Sequence, residues 1–433
     1  MKKLKNIVQS EYYQKIMFIV ILGYAFTYIQ LESVGNIFRA MLILGSVIAF
    51  ISEGKNIVKD PIFIFLALSL IIPILSWLNG HKVIPDIISN FPKLDRLPRI
   101  LTFFFVAYWL KASYNRIYAL WFFFILGLFL ACLMAPDFSS EIKQAISGIR
   151  IDFGIKNAQF TSMLSGIAVL ISLFSIQTIC QSNINPSKKT SLYLVFFISL
   201  CISIFITIVT QSRQVWLSLS ITFFLYPLYY AFIFNKKKVV IPTYICLIII
   251  TLIASQSTTI TSRIMSESET IQAILSGKMI PMTSIGIRVN SWIEAYHWIY
   301  NAPIFGSSSE AISQVIERSD IFNSVLKSEF HHLHNYYIEI LVAYGLIGLS
   351  FILSLYYWVI RSIFIYRSNV ENDEITKINH HIVYSCCLMT FWAIINFFET
   401  FNSRSFGVFT QTLIFASIYT FYLHSSKLER LKR

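Results

Sequence analysis

Apolar residues in this chain come in about twelve runs, most of them parted by short polar breaks, and the runs have the length of membrane crossings. They fall at residues 16–31, 37–51, 61–78, 98–110, 117–135, 158–179, 191–209, 214–234, 239–255, 335–360, 381–397 and 406–424. Runs 37–51 and 98–110 are short for a crossing. The pattern predicts an all-α polytopic membrane protein of about 12 transmembrane helices: nine within 1–255, an extramembrane helical loop at 256–333, and three more within 334–433. Inside that loop Arg288, Trp292 and Tyr296 recur at i, i+4 and i+8 and so share one helical face, until Pro303 and Gly306 stop the helix. A helix lying on the bilayer with aromatic anchors has the same pattern, and the two readings are compatible.

Composition narrows the class. Of 433 residues 56% are apolar and 13% charged, against about a quarter charged in soluble domains. The formal charge of +13 is scattered over short loops between apolar runs, which speaks for membrane lipids and against a nucleic-acid partner. Cys132, Cys180, Cys201, Cys246, Cys386 and Cys387 lie in or against apolar runs without a CxxC, so neither a zinc site nor a disulfide is expected. The basic start, 1–15, leads into an apolar run with no small-residue cleavage site and reads as a retained first helix. Alternate loops are lysine-rich: Lys55 and Lys59, Lys111 and Arg116, Lys188 and Lys189, Lys236 to Lys238, Arg361 with Arg367 and Lys377, and the tail 427–433. The positive-inside rule puts these loops and both termini in the cytoplasm.

The opposite face carries arginine instead: Arg96, Arg99, Arg150, Arg213, Arg263, Arg288, Arg318 and Arg404. Orientation needs only positive charge, whereas the guanidinium fork binds phosphate oxygens two at a time. Snorkelling or ion pairing at helix ends is the alternative for each. Arg213 is the clearest candidate, because it stands where one apolar run passes into the next with almost no loop, and a charge there must face protein or a water-filled cavity. On the same face His331, His332 and His334 sit at the mouth of the apolar run that contains Gly345 and Gly348. An ionisable group at that boundary is a functional candidate by default, although a lone interfacial imidazole is also an ordinary anchor. Glu399, Asn402 and Arg404 share a short outer loop, in which Glu399 is either an orienting group or a solvated carboxylate. The chain has no outer-face Asp-x-Asp, P-loop or HExxH, which disfavours a nucleotide-sugar transferase, an ATPase and a zinc protease.

Three stretches together resemble the O-antigen ligase and polymerase superfamily of bacterial polysaccharide assembly. They are His334-Asn335 with two tyrosines and Gly345-Leu-Ile-Gly348-Leu, Thr210-Gln211-Ser212-Arg213 with Trp216, and Arg288-x-x-x-Trp292 with its Pro-x-x-Gly stop. Less specifically, 93–99 resembles a Leu-Asp-Arg…Arg lead into a span that would enlist Arg96 and Arg99, and 149–157 an Arg…Asn loop that would enlist Arg150. The resemblance implies a GT-C-like fold in the bacterial inner membrane with a periplasmic site. The donor would be an undecaprenyl-diphosphate-linked glycan and the acceptor the lipid A-core oligosaccharide, with no metal and no cofactor. A lipid diphosphate is already a good leaving group, so Arg213 and Arg288 would neutralise it as it departs. An imidazole, with an unperturbed pKa of about 6.5, suits removal of the acceptor's proton, and His334 is the expected base of an inverting transfer. Arg96, Arg99, Arg150, Trp292, Asn335, Glu399 and Arg404 are the expected substrate-binding residues. The alternatives are a polymerase or a protein O-oligosaccharyltransferase of the same superfamily. From another class comes a lipid-linked oligosaccharide flippase, which should show internal repeats and mid-membrane charges that the sequence lacks.

Overall fold

The computed structural model describes residues 2–181 and 185–432, and every regular element among them is helical. Side chains of the basic tail from 426 and of Arg263 fall outside the described ones. Among the described residues nine helices are long and apolar enough to cross a membrane. Two are Glu32–Glu53 and Tyr114–Leu133. The others frame the site and are numbered here: α1 Ile62–Val83, α2 Ala158–Gln181, α3 Pro186–Val209, α4 Arg213–Phe234, α6 Tyr336–Arg367, α7 Asn372–Ile395 and α8 Ser405–Lys432. Between α4 and α6 lies α5, Ser284–Asn301, the amphipathic helix of the long loop.

All twelve apolar runs are helical, but the count of twelve crossings is not confirmed. Glu11–Thr27 has 17 residues and Val240–Ala254 has 15, and run 98–110 is a five-residue 3-10 turn followed by the eight-residue helix Phe103–Leu110. Run 37–51 errs the other way. Glu32–Glu53 extends it at both ends, because helical hydrogen bonding continues past the last apolar residue until Gly54 takes a positive φ.

Helix α8 is the central post. Of its most apolar stretch 94% is buried, although that stretch is less apolar than all but one of the other candidate spans among the described residues. Its Thr410 and Ser417 return their hydroxyls to their own helix, onto Phe406 O and Ile414 O, so these small polar side chains are buried without an unpaired donor. Small residues of this kind let helices approach closely where lipid offers no hydrophobic drive.

Backbone hydrogen bonds tie several helix ends together on the arginine face. Ile151 N reaches Val209 O at 3.4 Å and Tyr336 N reaches Asn396 O at 2.9 Å. Helix α6 is broken on the same side, at Gly345 (φ 61°, ψ −160°). Segment 303–308 fills the break: Ser307 N and Ser308 N donate to Val342 O and Ala343 O at 2.9 and 3.0 Å, and Leu346 N donates to Pro303 O at 2.8 Å. A Cβ on Gly345 would stand 2.3 Å from Ile304 O, and one on Gly306 2.4 Å from Ala343 O. Both positions therefore need glycine for conformation and for room. The Pro-x-x-Gly stop after α5 is thus also the splint of α6.

Candidate functional site

The backbone at His334 is set before its side chain is considered. Leu333 is clamped on both sides: its carbonyl accepts from Trp292 Nε1 at 2.8 Å and its N–H donates to Glu339 Oε1 at 3.2 Å. One residue on from His334, Asn335 caps α6 by accepting from Tyr337 N and Ile338 N at 3.0 and 3.1 Å. Between these fixed points His334 takes φ +50°, a left-handed conformation that costs a non-glycine residue free energy and that marks functional positions when the surroundings impose it. Asn335, expected at the substrate, spends its carbonyl oxygen on the helix start.

The imidazole of His334 meets Glu399, 65 residues away, with Nδ1 3.1 Å from Oε2. His332 reaches the other oxygen, Nε2 to Oε1 at 3.5 Å, and the two rings lie 4.1 Å apart. Thr400 N donates to Oε1 at 3.1 Å. Gln159, at the start of α2, adds a further bond when its amide nitrogen faces Glu399, at 2.5 Å, and its oxygen then accepts from Arg288 Nη2 at 3.0 Å. Glu399 is only 4% exposed, which removes the solvated alternative. Burial alone would raise its pKa, but the bond from His334 and the fields of His334 and His332 outweigh it and hold the carboxyl down at about 2. An ionised carboxylate only accepts, so in the neutral form of the ring the hydrogen bond puts the proton on Nδ1 and leaves Nε2 with its lone pair.

Arg288 lies on the same face of α5 as Trp292, as the spacing predicts, but Tyr296 is 62% exposed and takes no part. Burial, with Arg213 near it, holds the Arg288 guanidinium below its ordinary pKa against the pull of Glu399. Arg213 does not face an empty cavity. Its Nη2 is 2.9 Å from Glu267 Oε1, a partner carried by the long loop. Arg99 and Arg150 donate to backbone, to Ser403 O at 3.2 Å and Thr210 O at 3.0 Å, and so hold the loops that bear Arg404 and Arg213. Arg96 and Arg404 line a separate cavity with His332. Sequence reasoning missed Gln159 and Glu267, which follow no pattern, and treated His332 as an anchor, although its spacing of two from His334 lets both rings reach one carboxylate.

His332, His334 and Glu399 present three ligand atoms within 4.8 Å of one another, a His2Glu donor set that zinc accepts elsewhere. The positive charges of Arg288 and Arg404 act on His332 as well and oppose a cation there. The site is better suited to an anion on one side and a proton acceptor on the other.

A pH dependence follows. Burial first, then His334, lowers the pKa of His332 to about 4 against the opposing pull of Glu399. The unfolded chain takes up this proton near 6.5, so between about 4 and 6.5 it binds more protons than the folded protein and stability must rise with pH. Glu399 acts lower down: its contribution, present above about 4.5, is lost as pH falls towards 2. The expected result is an unfolding temperature in detergent that climbs from pH 4 to 6.5, with a shallower climb in His332→Gln. An equal slope in that variant would remove His332 as the cause.

A family model described as O-antigen ligase matches residues 197–353, a segment that holds Arg213, Arg288, Trp292, His334 and Asn335 but ends before Glu399. An uncharacterized protein of Haemophilus influenzae is 26% identical over 249 residues, which is 56% of this chain. The match covers 59% of that relative's length.

Proposed function

We propose, from the match of residues 197–353 to the O-antigen ligase family model, that this chain transfers a glycan from undecaprenyl diphosphate to a sugar hydroxyl of lipid A-core oligosaccharide. The observation that carries this reading is the pairing of His334 Nδ1 with the buried Glu399 carboxylate at 3.1 Å, which orients the imidazole and leaves Nε2 to accept a proton. The acceptor oxygen attacks the anomeric carbon, its proton passes to Nε2, and the bond from that carbon to the diphosphate oxygen breaks with its electron pair. Arg288, with Arg213 beside it, compensates the charge that the diphosphate gains, and inside a water-poor site such fixed charges act at full strength. One direct displacement inverts the anomeric centre. Neither step needs a metal or cofactor.

The reading places a GT-C-like enzyme in the bacterial inner membrane, both termini cytoplasmic and the arginine face in the periplasm, as the lysine-rich loops favour. Purified protein in vesicles, given lipid-linked glycan and lipid A-core, should yield glycosylated lipid A-core and free lipid diphosphate. Elongation of glycan on its lipid carrier alone would make it a polymerase. Movement of the donor across the bilayer without any transfer would make it a transporter and overturn the proposal.

A further inference from the structure

A cavity of about 450 Å³ opens beside His332, within the usual size range of small-molecule sites. Its described wall is polar, with Ile87 and Ile312 its hydrocarbon side chains, so it fits a hydrophilic occupant and rejects a polyprenyl chain. The charges in the wall are unevenly spent. Lys93 is paired with Glu310 at 3.3 Å, and Glu310 also accepts from Ser89 and Ser308. Glu339, 3% exposed, gives its two oxygens to Leu333 N and Ser403 Oγ. Arg96 and Arg404 form no ion pair among the described residues. Both guanidiniums line the cavity, with the Glu339 carboxyl in the same wall, and neither Arg213 nor Arg288 lines it.

We infer that this cavity receives the acceptor glycan and selects one that carries an anionic group, a phosphate or a carboxylate, held by Arg96 and Arg404. The inference rests on the proposed transfer reaction, since it names the class of that reaction's second substrate. The link between the two is His332, which walls the cavity and stands 4.1 Å from the ring of His334. A sugar chain seated there brings a hydroxyl to the imidazole pair along a wall that neither Arg213 nor Arg288 shares. Guanidinium suits the role, because its fork meets two oxygens of one anion. The same oxygens could come from a lipid headgroup at the membrane rim, and the experiment separates the two sources.

The full chain is placed in phosphatidylcholine vesicles as wild type, Arg96→Gln, Arg404→Gln and the double variant. Each receives a phosphate-bearing lipid A-core acceptor and the same acceptor after phosphatase treatment. Two quantities are read, the KM for acceptor and donor in transfer, and acceptor retention by the vesicles with no donor present. The double variant should raise the acceptor's KM by about tenfold to a hundredfold, as expected for charge-assisted contacts, and leave the donor's KM where it was. Phosphatase treatment should produce the same rise in the wild type and little further rise in the double variant. Equal KM for the two acceptors, or a rise in the donor's KM instead, overturns the inference. So does an effect of the variants that appears only when phosphatidylglycerol is added, which assigns the anion to the membrane. Charge-dependent retention without transfer would sink the enzymatic reading and keep the site, whereas transfer indifferent to acceptor charge would do the reverse.

Discussion

His334→Ala should transfer glycan about a hundredfold to ten-thousandfold more slowly than the wild type, the usual cost of a lost positioned base. It should still insert and still bind lipid-linked donor, because Arg213 and Arg288 remain. A purely structural histidine would behave differently, lowering yield and donor binding together with rate. His331→Ala supplies the control. That ring is more than half exposed and reaches Glu317 at 3.8 Å, but it also stands in the wall of the cavity assigned to the acceptor, so its loss should slow transfer the least of the three. His332→Ala should fall between the two, since it removes one of the two rings on Glu399 but not the one with the stronger bond. Rates and donor binding are measured at matched abundance. If His334→Ala works normally while His332→Ala is dead, the base is His332; if all three work, the proton goes elsewhere.

Lysine at position 288 should fare almost as badly as alanine, each slowing transfer by about a hundredfold or more, the scale on which a single charge-stabilising donor acts. The charge survives in Arg288→Lys but the planar fork is lost, and with it simultaneous contact with two diphosphate oxygens. Arg213→Lys should be milder. Its guanidinium is already held by Glu267, and a lysine there keeps an ion pair that costs the donor something to displace. Initial rates at saturating donor and equal protein level decide the matter. Near-normal transfer by Arg288→Lys would reduce the arginine to a generic positive field.

What was legible in the sequence was whatever leaves a local trace. Hydropathy placed all twelve helical runs, and spacing put Arg288 and Trp292 on one face of a helix that ends before Pro303. It misjudged Tyr296, since periodicity says which residues share a face but not how far along it the partner extends. Glu399 gave no local sign of burial. Its environment is made by Gln159, His332 and His334, far off in the chain, and only the packing of α2 against α7 and of α6 and α7 against α8 brings them together. Arg213 was legible as a charge that needs protein around it, but its partner Glu267 lies in a loop where a carboxylate has no pattern to obey. Asn335 stood out for its place beside His334, whereas its oxygen serves the first turn of the helix.

The break at Gly345 bears on how the protein is made. Inside a bilayer every backbone amide and carbonyl must find a partner within the protein, and α6 leaves those around Val342 to Leu346 to the segment 303–308. That segment leaves the ribosome before α6 does. When α6 enters the membrane its missing partners are already synthesised, so the helix settles only once segment 303–308 lies against it. Docking of the loop and settling of the helix that starts beside His334 are thereby one event.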